Sequence, residues 1–282
     1  MAVYGTVELG GTKTLVASGT HPDDLTPISI PTTTPEETLK SVVNALSGVD
    51  AVGIATFGPV ELRKGFDSYG TLTSTPKPGW SGTRVLDFVQ EGVGVPVGLD
   101  TDVNGAALGE YRWGAGRGLD TIVYVTVGTG IGGGGVVGGS TLRALGHPEM
   151  GHVVVRRRPG DEYPGRCPYH GDCLEGMASG PAITDRYGPH EEWDGDVLGL
   201  ATFYLAQGLR DIVYVLSPER VIVGGGVSRI DGFHDALQSA LTQELAGYPG
   251  MSEHRANFIV PPGLGDLSGL AGGLVLAETS LA

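Results

Sequence analysis

The stretch Val3-Tyr4-Gly5-Thr6-Val7-Glu8-Leu9-Gly10-Gly11-Thr12-Lys13-Thr14-Leu15-Val16-Ala17-Ser18 decides the fold. Residues 3–9 form a short run rich in β-branched side chains, and residues 12–18 form another. Gly10-Gly11 between them is a hairpin signal, because glycine accepts the backbone angles a tight turn demands. Downstream the period changes. Thr34-Pro35-Glu36-Glu37 opens a helix to about residue 46, with Thr34 as N-cap, Pro35 at the first helical position and acids in the first turn. Strands are expected over 51–55 and 95–99, and helices over 80–89 and 102–111. Strand–helix alternation of this kind predicts an α/β sheet with helices on its faces.

A strand over 120–127 restarts the pattern, and a hairpin-like segment follows over 128–137. The two glycine-turned hairpins read as two copies of one theme. Gly-Ala-Gly-Arg-Gly at 114–118 lies between the copies and is the candidate hinge. A helix over 194–216, a strand over 220–223, a helix over 233–245 and a last helix over 267–279 complete the expectation.

Composition narrows the function class. The chain has 282 residues, with 18 Lys and Arg against 32 Asp and Glu, a formal charge of −14. Without a basic cluster, that balance argues against nucleic acid or an anionic membrane as partner. The 49 glycines are not spaced every third residue, which excludes collagen, and 40% hydrophobic residues argue against disorder. No apolar run approaches the roughly 20 residues of a membrane span, and no secretory signal opens the sequence. A soluble cytoplasmic protein is expected.

Several motifs carry chemistry. Glu8-Leu9-Gly10-Gly11-Thr12-Lys13 offers backbone N–H groups, a hydroxyl and an ammonium to an anion, though an ordinary hairpin turn reads the same way. Val127-Gly128-Thr129-Gly130-Ile131-Gly132-Gly133-Gly134-Gly135 strips nearly every side chain from one turn, and close backbone approach to a ligand accounts for it better than a linker does. Two such turns would grip a triphosphate from both sides. Leu99-Asp100-Thr101-Asp102-Val103-Asn104-Gly105 stands where a strand ends and a helix begins, the usual ligand edge of an α/β sheet. Asp102 or Thr101 can cap that helix, and a carboxylate there can also take a proton from a hydroxyl.

Cys167-Pro168-Tyr169-His170-Gly171-Asp172-Cys173, with His152 upstream, has the ligand types and spacing of a closed structural zinc site; a reducible disulfide and unrelated thiols are the alternatives. Glu149 and Glu175 flank that loop with His152 and suit binding of sugar hydroxyls. Gly224-Gly225-Gly226 and the 263–269 turn resemble sites for adenine and ribose, each weak alone.

In this order the motifs resemble the ROK family of sugar kinases, over nearly the whole chain. Thr56-Phe57-Gly58-Pro59, the run from Tyr69 to Trp80, Asp100-Thr101-Asp102 and the Cys-Pro-Tyr-His-Gly-Asp-Cys loop are most similar to its bacterial fructokinase branch. The resemblance implies a two-domain α/β fold like that of actin and hexokinase, with ATP and sugar in an interdomain cleft. The domains expected are 1–115 with 267–282, the last helix returning to the first domain, and 116–266, carrying a zinc loop. The resemblance also implies roles. Asp102 is the general base on the sugar 6-hydroxyl. Thr71, Thr73, Thr101, Glu149, His152 and Glu175 face the sugar. Gly10, Gly11, Thr12, Lys13, Gly128, Thr129, Gly130, Gly132, Gly224, Gly225 and Gly226 bind ATP. His152, Cys167, His170 and Cys173 hold structural Zn²⁺, and Glu8, where many members have Asp, orients Mg²⁺ or its waters. Closure about 114–118 expels competing water. The implied activity is ATP-dependent phosphorylation of D-fructose by a cytoplasmic homodimer. A mannokinase, a glucokinase of broad range and a sugar sensor without activity are the alternatives. The family's repressors carry a DNA-binding segment ahead of the kinase-like part, and here the first strand begins at Val3.

Overall fold

The computed structural model describes residues 2–143, 145–248 and 257–281. Two compact units result. One comprises Met1–Gly118, Gly134–Pro148 and Gly263–Ala282, the other Leu119–Gly133 and Glu149–Pro262.

In the first unit, β1 (Tyr4–Leu9) and β2 (Lys13–Gly19) form the antiparallel hairpin, with Leu9 opposite Thr14. The sheet order is β3-β2-β1-β4-β5, adding β3 (Ile28–Pro31), β4 (Ala51–Thr56) and β5 (Val97–Thr101). β1, β4 and β5 are parallel and in register, Leu9 beside Thr56 and Thr56 beside Thr101. Their carboxyl ends therefore share one edge, which puts the Gly10-Gly11 turn and Asp102 on the same rim.

Alternation along the strands assigns the two faces. Val7, Leu9, Val52 and Ile54 pack with Leu39 and Val42 of α1 (Pro35–Ala45) and with Val85, Leu86 and Val89 of α2 (Val85–Val93). Thr34 caps α1 through the Glu37 N–H, as its sequence requires. The opposite face is stripped to small residues. A Cβ on Gly53 would lie 1.8 Å from the Gly273 carbonyl oxygen, and one on Gly98 would lie 2.2 Å from that of Leu276. That is how α8 (Ser268–Ser280) lies directly on the sheet, with the Thr6 hydroxyl donating to the Leu270 carbonyl at 2.6 Å. α3 (Asp102–Arg112) lies as closely on α8.

Two expectations shift. Residues 80–84 are not helical. Trp80 is fully buried among the α1–α2 core and its indole N–H donates to the Thr33 carbonyl, so α2 begins only at Val85. The segment Gly134–Pro148, expected within the second domain, packs with the first unit, tied there by Asn104, whose Oδ1 accepts from Gly135 N at 3.3 Å and whose Nδ2 donates to the Leu142 carbonyl at 3.3 Å.

In the second unit β9 (Arg220–Gly224) lies between β10 (Ile259–Val260) and β6 (Thr121–Val127), all parallel. β7 (Ile131–Val137) follows β6, leaves this unit after Gly133, and turns into β8 (Ser140–Thr141). The short helices α4 (Leu174–Ala178) and α5 (Gly180–Tyr187) precede the long α6 (Gly195–Leu216), which packs on α7 (Phe233–Leu245). Gly208 of α6 receives Leu174, whose Cδ2 would lie 2.4 Å from an added Cβ.

The tightest backbone approach gives a sharp test. A Cβ on Gly272 would sit 1.7 Å from the Gly105 carbonyl oxygen, where no flexible atom can yield. Gly272→Ala is expected to lower stability by about 2–3 kcal/mol. Gly199→Ala, in α6 with nothing within 4 Å, is expected to raise it by about 0.5–1 kcal/mol. Thermal melts of both variants check the contrast, and equal melting temperatures would contradict it.

Candidate active site

The sequence-predicted residues fall into two sets, one in each unit. In the first unit the helix start at β5–α3 sorts three polar residues into separate tasks. Asp100 is 1% exposed and saturated: Oδ1 accepts from Thr101 N and Asn104 Nδ2, both at 2.8 Å, and Oδ2 from the Thr141 hydroxyl at 2.8 Å. The Thr101 side chain caps α3 by accepting from Asn104 N at 3.2 Å. Asp102, half-buried, stands at the head of the helix, where its Oδ1 accepts from Val103 N at 2.8 Å.

Glu8 shares this end of the sheet. Its carboxyl is pushed up to about 7, first by burial and then by the Asp102 charge; Lys13 opposes the rise and Asp266 adds to it. Asp266 escaped sequence reading, although the Gly-Leu-Gly turn before it marked the place. Gly269, the second residue of α8, is there for Glu8: a Cβ would meet Glu8 Oε2 at 2.4 Å. The Gly10 N–H closes its turn on the Lys13 carbonyl at 3.1 Å, and a Cβ on Gly10 would strike that carbonyl at 2.6 Å. Gly11, Thr12 and Lys13 complete a turn open to solvent on its outer side. Among the described residues the buried Thr71 hydroxyl oxygen has no hydrogen-bond partner, and the Thr73 hydroxyl donates to the Pro59 carbonyl at 3.2 Å.

The glycine run divides by task. Gly133 and Gly134 do not line an open turn. They stand in β7, where a Cβ would strike Met150 at 2.5 Å from Gly133 and the Asn104 amide at 2.6 Å from Gly134. Close packing, rather than ligand approach, explains those two. In the second unit the earlier part of the run is an open turn, in which Gly128 N donates to the Gly130 carbonyl and Gly180 N, at the start of α5, donates to the Gly128 carbonyl. Gly130 leaves room for Glu175, whose Oε2 accepts from Ile131 N at 2.9 Å and would lie 2.7 Å from a Gly130 Cβ. Gly132 continues into β7, and Thr129 is exposed. Gly225, at φ +91°, passes so near Val127 that a Cβ would lie 2.4 Å from its carbonyl oxygen; Gly224 adjoins Tyr124, and Gly226 is open. α5, which sequence reading left out, was signalled by Pro181 in its first turn.

His152, Cys167, His170 and Cys173 converge. His152 Nδ1 lies 3.6 Å from both sulfurs, and His170 Nδ1 lies 3.7 Å from Cys167 Sγ. The four ligand atoms lie within 4.8 Å of one another, the donor types and spacing that a four-coordinate ion requires. Burial and the neighbouring Cys167 push the Cys173 thiol up to about 11, so the Cys173 sulfur keeps its proton unless a cation displaces it. Glu149, exposed, precedes this set, and its carbonyl accepts from His152 N at 3.0 Å.

The family model for ROK covers residues 4–280. The chain belongs to the ROK family. Two fructokinases resemble this ROK chain throughout: that of Zymomonas mobilis is 42% identical over 293 residues, covering 98% of this chain and 96% of the relative, and that of Pediococcus pentosaceus is 37% identical over 285 residues, covering 99% of each. The crystal structure of a ROK family glucokinase from Streptomyces griseus in complex with glucose and AMPPNP superposes with a TM-score of 0.79 at 28% identity, covering 98% of this chain and 99% of that one. The ROK fold is thus the actin-like, hexokinase-like ATPase fold, with a mixed α/β sheet in each unit. No described helix is long and apolar enough to cross a membrane.

Glu8 makes the stability of this ROK chain depend on pH with a definite sign. Its ordinary value is 4.5 and its folded value about 7, so between them the folded state holds the extra proton. The contribution of Glu8 to stability falls as pH rises through that window. Glu8→Gln, neutral throughout, is expected to flatten the decline and to exceed the parent in melting temperature above about pH 7. Melts of parent and variant without magnesium or nucleotide, from about pH 5 to about pH 8, check it; a parent–variant difference that does not change across the window contradicts it.

Proposed function

We propose that the chain is an ATP-dependent fructokinase that transfers the γ-phosphoryl group to the 6-hydroxyl of D-fructose, giving fructose 6-phosphate. The observation that carries the reading is the β1–β4–β5 register, which brings Asp102, Glu8 and the Gly10–Lys13 turn to one rim of a chain akin to fructokinases along its length. Asp102 accepts the hydroxyl proton as the oxygen attacks. Its bond to Val103 N fixes the carboxylate at the head of α3. Asp100, spent on three donors, takes no part in the proton transfer.

The turns at Gly10–Lys13 and Gly128–Gly132 supply N–H groups to the phosphates, with Gly224–Gly226 against the nucleoside. Because Gly10 N is committed to Lys13, the donors of the first turn are the amides of Gly11 and Thr12. Bound with ATP, Mg²⁺ neutralises charge on the transferred group. Glu8 orients its hydration shell. Glu149, His152 and Glu175 hold sugar hydroxyls, with Thr71, Thr73 and Thr101 completing the sugar site. Zn²⁺ on His152, Cys167, His170 and Cys173 stiffens that loop. His152 Nδ1 faces the sulfurs, which leaves the other ring nitrogen for the sugar. A cytoplasmic homodimer belongs to the same proposal.

Asp102→Asn is expected to lower kcat by about 10³-fold or more while fructose binding, read by calorimetry, stays within a few-fold. Substantial residual kcat would remove Asp102 as the base. Relative kcat/KM on fructose, mannose and glucose identifies the hexose: fructose is expected to lead, and preference for another would make the chain a broader hexose kinase.

Zinc removal gives an independent test. Metal analysis of the purified protein is expected to find one zinc per chain, and chelation is expected to lower melting temperature and activity together. No bound metal, or an unchanged melting temperature, contradicts the assignment.

A further inference from the structure

Glu110 is 0% exposed, and no Lys, Arg or His lies within ion-pair distance of it among the described residues. Its carboxyl group is held by four neutral donors. Oε2 accepts from Ala115 N at 2.7 Å and Gly263 N at 2.9 Å; Oε1 accepts from Leu264 N at 3.0 Å and the Ser268 hydroxyl at 2.6 Å. A buried carboxylate held only by dipoles is a poor way to gain stability, since an apolar side chain of similar volume would escape the desolvation cost. What the arrangement fixes is position.

The donors come from two places far apart in sequence. One is the segment just after α3; the other, more than 150 residues beyond Glu110, is the turn that opens α8. Ser268 is gripped twice, since a Cβ on Gly109 would lie 2.4 Å from its carbonyl oxygen. Between Leu264 and Ser268 stands Asp266, whose charge acts on Glu8, and Gly269 abuts Glu8 directly. At the other end of α3, one rigid helix away, stands Asp102.

We infer that Glu110 is a positioning residue for the magnesium–nucleotide half of the reaction: its carboxylate holds the start of α8 on α3 and thereby sets Asp266 and Gly269 against Glu8. The inference rests on the kinase reading above. Glu110 touches no substrate in this scheme and acts only through the Gly263–Ser268 turn.

Glu110→Gln preserves size but replaces one acceptor oxygen with an amide that must face N–H or O–H donors. MgADP, titrated by calorimetry without sugar, is expected to bind about tenfold more weakly, with a matching rise in KM for MgATP and less than about a twofold change in KM for fructose. Ser268→Ala, which removes one donor of four, is expected to weaken MgADP by about threefold, and the double variant to add little to Glu110→Gln. A merely structural Glu110 would lower the melting temperature and leave MgADP affinity and both KM values unchanged; that result overturns the inference. Should Glu110→Gln not be recovered folded, Ser268→Ala decides, and unaltered MgADP affinity there overturns it equally. Because MgADP binding needs no sugar, a parent that binds MgADP but phosphorylates no hexose sinks the fructokinase reading alone.

Discussion

The backbones of α3, α8 and β4 meet with almost no side chain between them, and the rest of the first unit depends on that contact. Gly105 and Gly109 on α3, Gly272 and Gly273 on α8, and Gly53 on β4 each leave a space that a single carbon would overfill. Helices usually stand about 8–10 Å apart because side chains keep them there. Removing the side chains trades apolar burial for position: α8 becomes a wedge with a single seat. The polar groups around it, Thr6 on the Leu270 carbonyl and Glu110 on the turn before α8, finish what close packing starts.

Four acids of this unit show how environment divides one chemical type among tasks. Asp100 and Glu110 are buried and saturated with donors, and each ties a distant segment to α3. Glu8 is buried beside other acids and holds its proton up to about neutrality. Asp102 stands half-buried at a helix head, on the rim shared with the glycine turn. Only Thr101 separates Asp100 from Asp102, but the change from strand to helix between them turns one inward and the other toward the rim.

Much of this was legible in the sequence. The first hairpin followed from β-branched runs around Gly10-Gly11, and α1 from Thr34-Pro35 with its acids, because those signals are local. The residue types and spacing of the Cys-His loop sufficed to anticipate the cluster now seen. What escaped was tertiary. Trp80 looked like a helix start and is instead a core anchor whose indole seeks a carbonyl 47 residues away. Gly133 and Gly134 looked like ligand glycines and are packing glycines, a distinction set by Met150 and α3 rather than by composition. Glu110 carried no signal at all, since an acid in an amphipathic helix reads as surface until its donors from the distant turn are in place.

The order in which the first unit acquires its parts has a consequence for synthesis. β1 to β5 are made first, yet the wedge that covers the glycine-lined face of β4 is the last helix of the chain. A nascent chain that has emerged as far as β10 holds a sheet with one side dressed by α1 and α2 and the other bare. Domains generally fold as they emerge, and apolar surface left waiting is prone to wrong partners. For this protein the vulnerable interval closes only once α8 has emerged, so a chain lacking α8 would leave the first-made sheet uncovered.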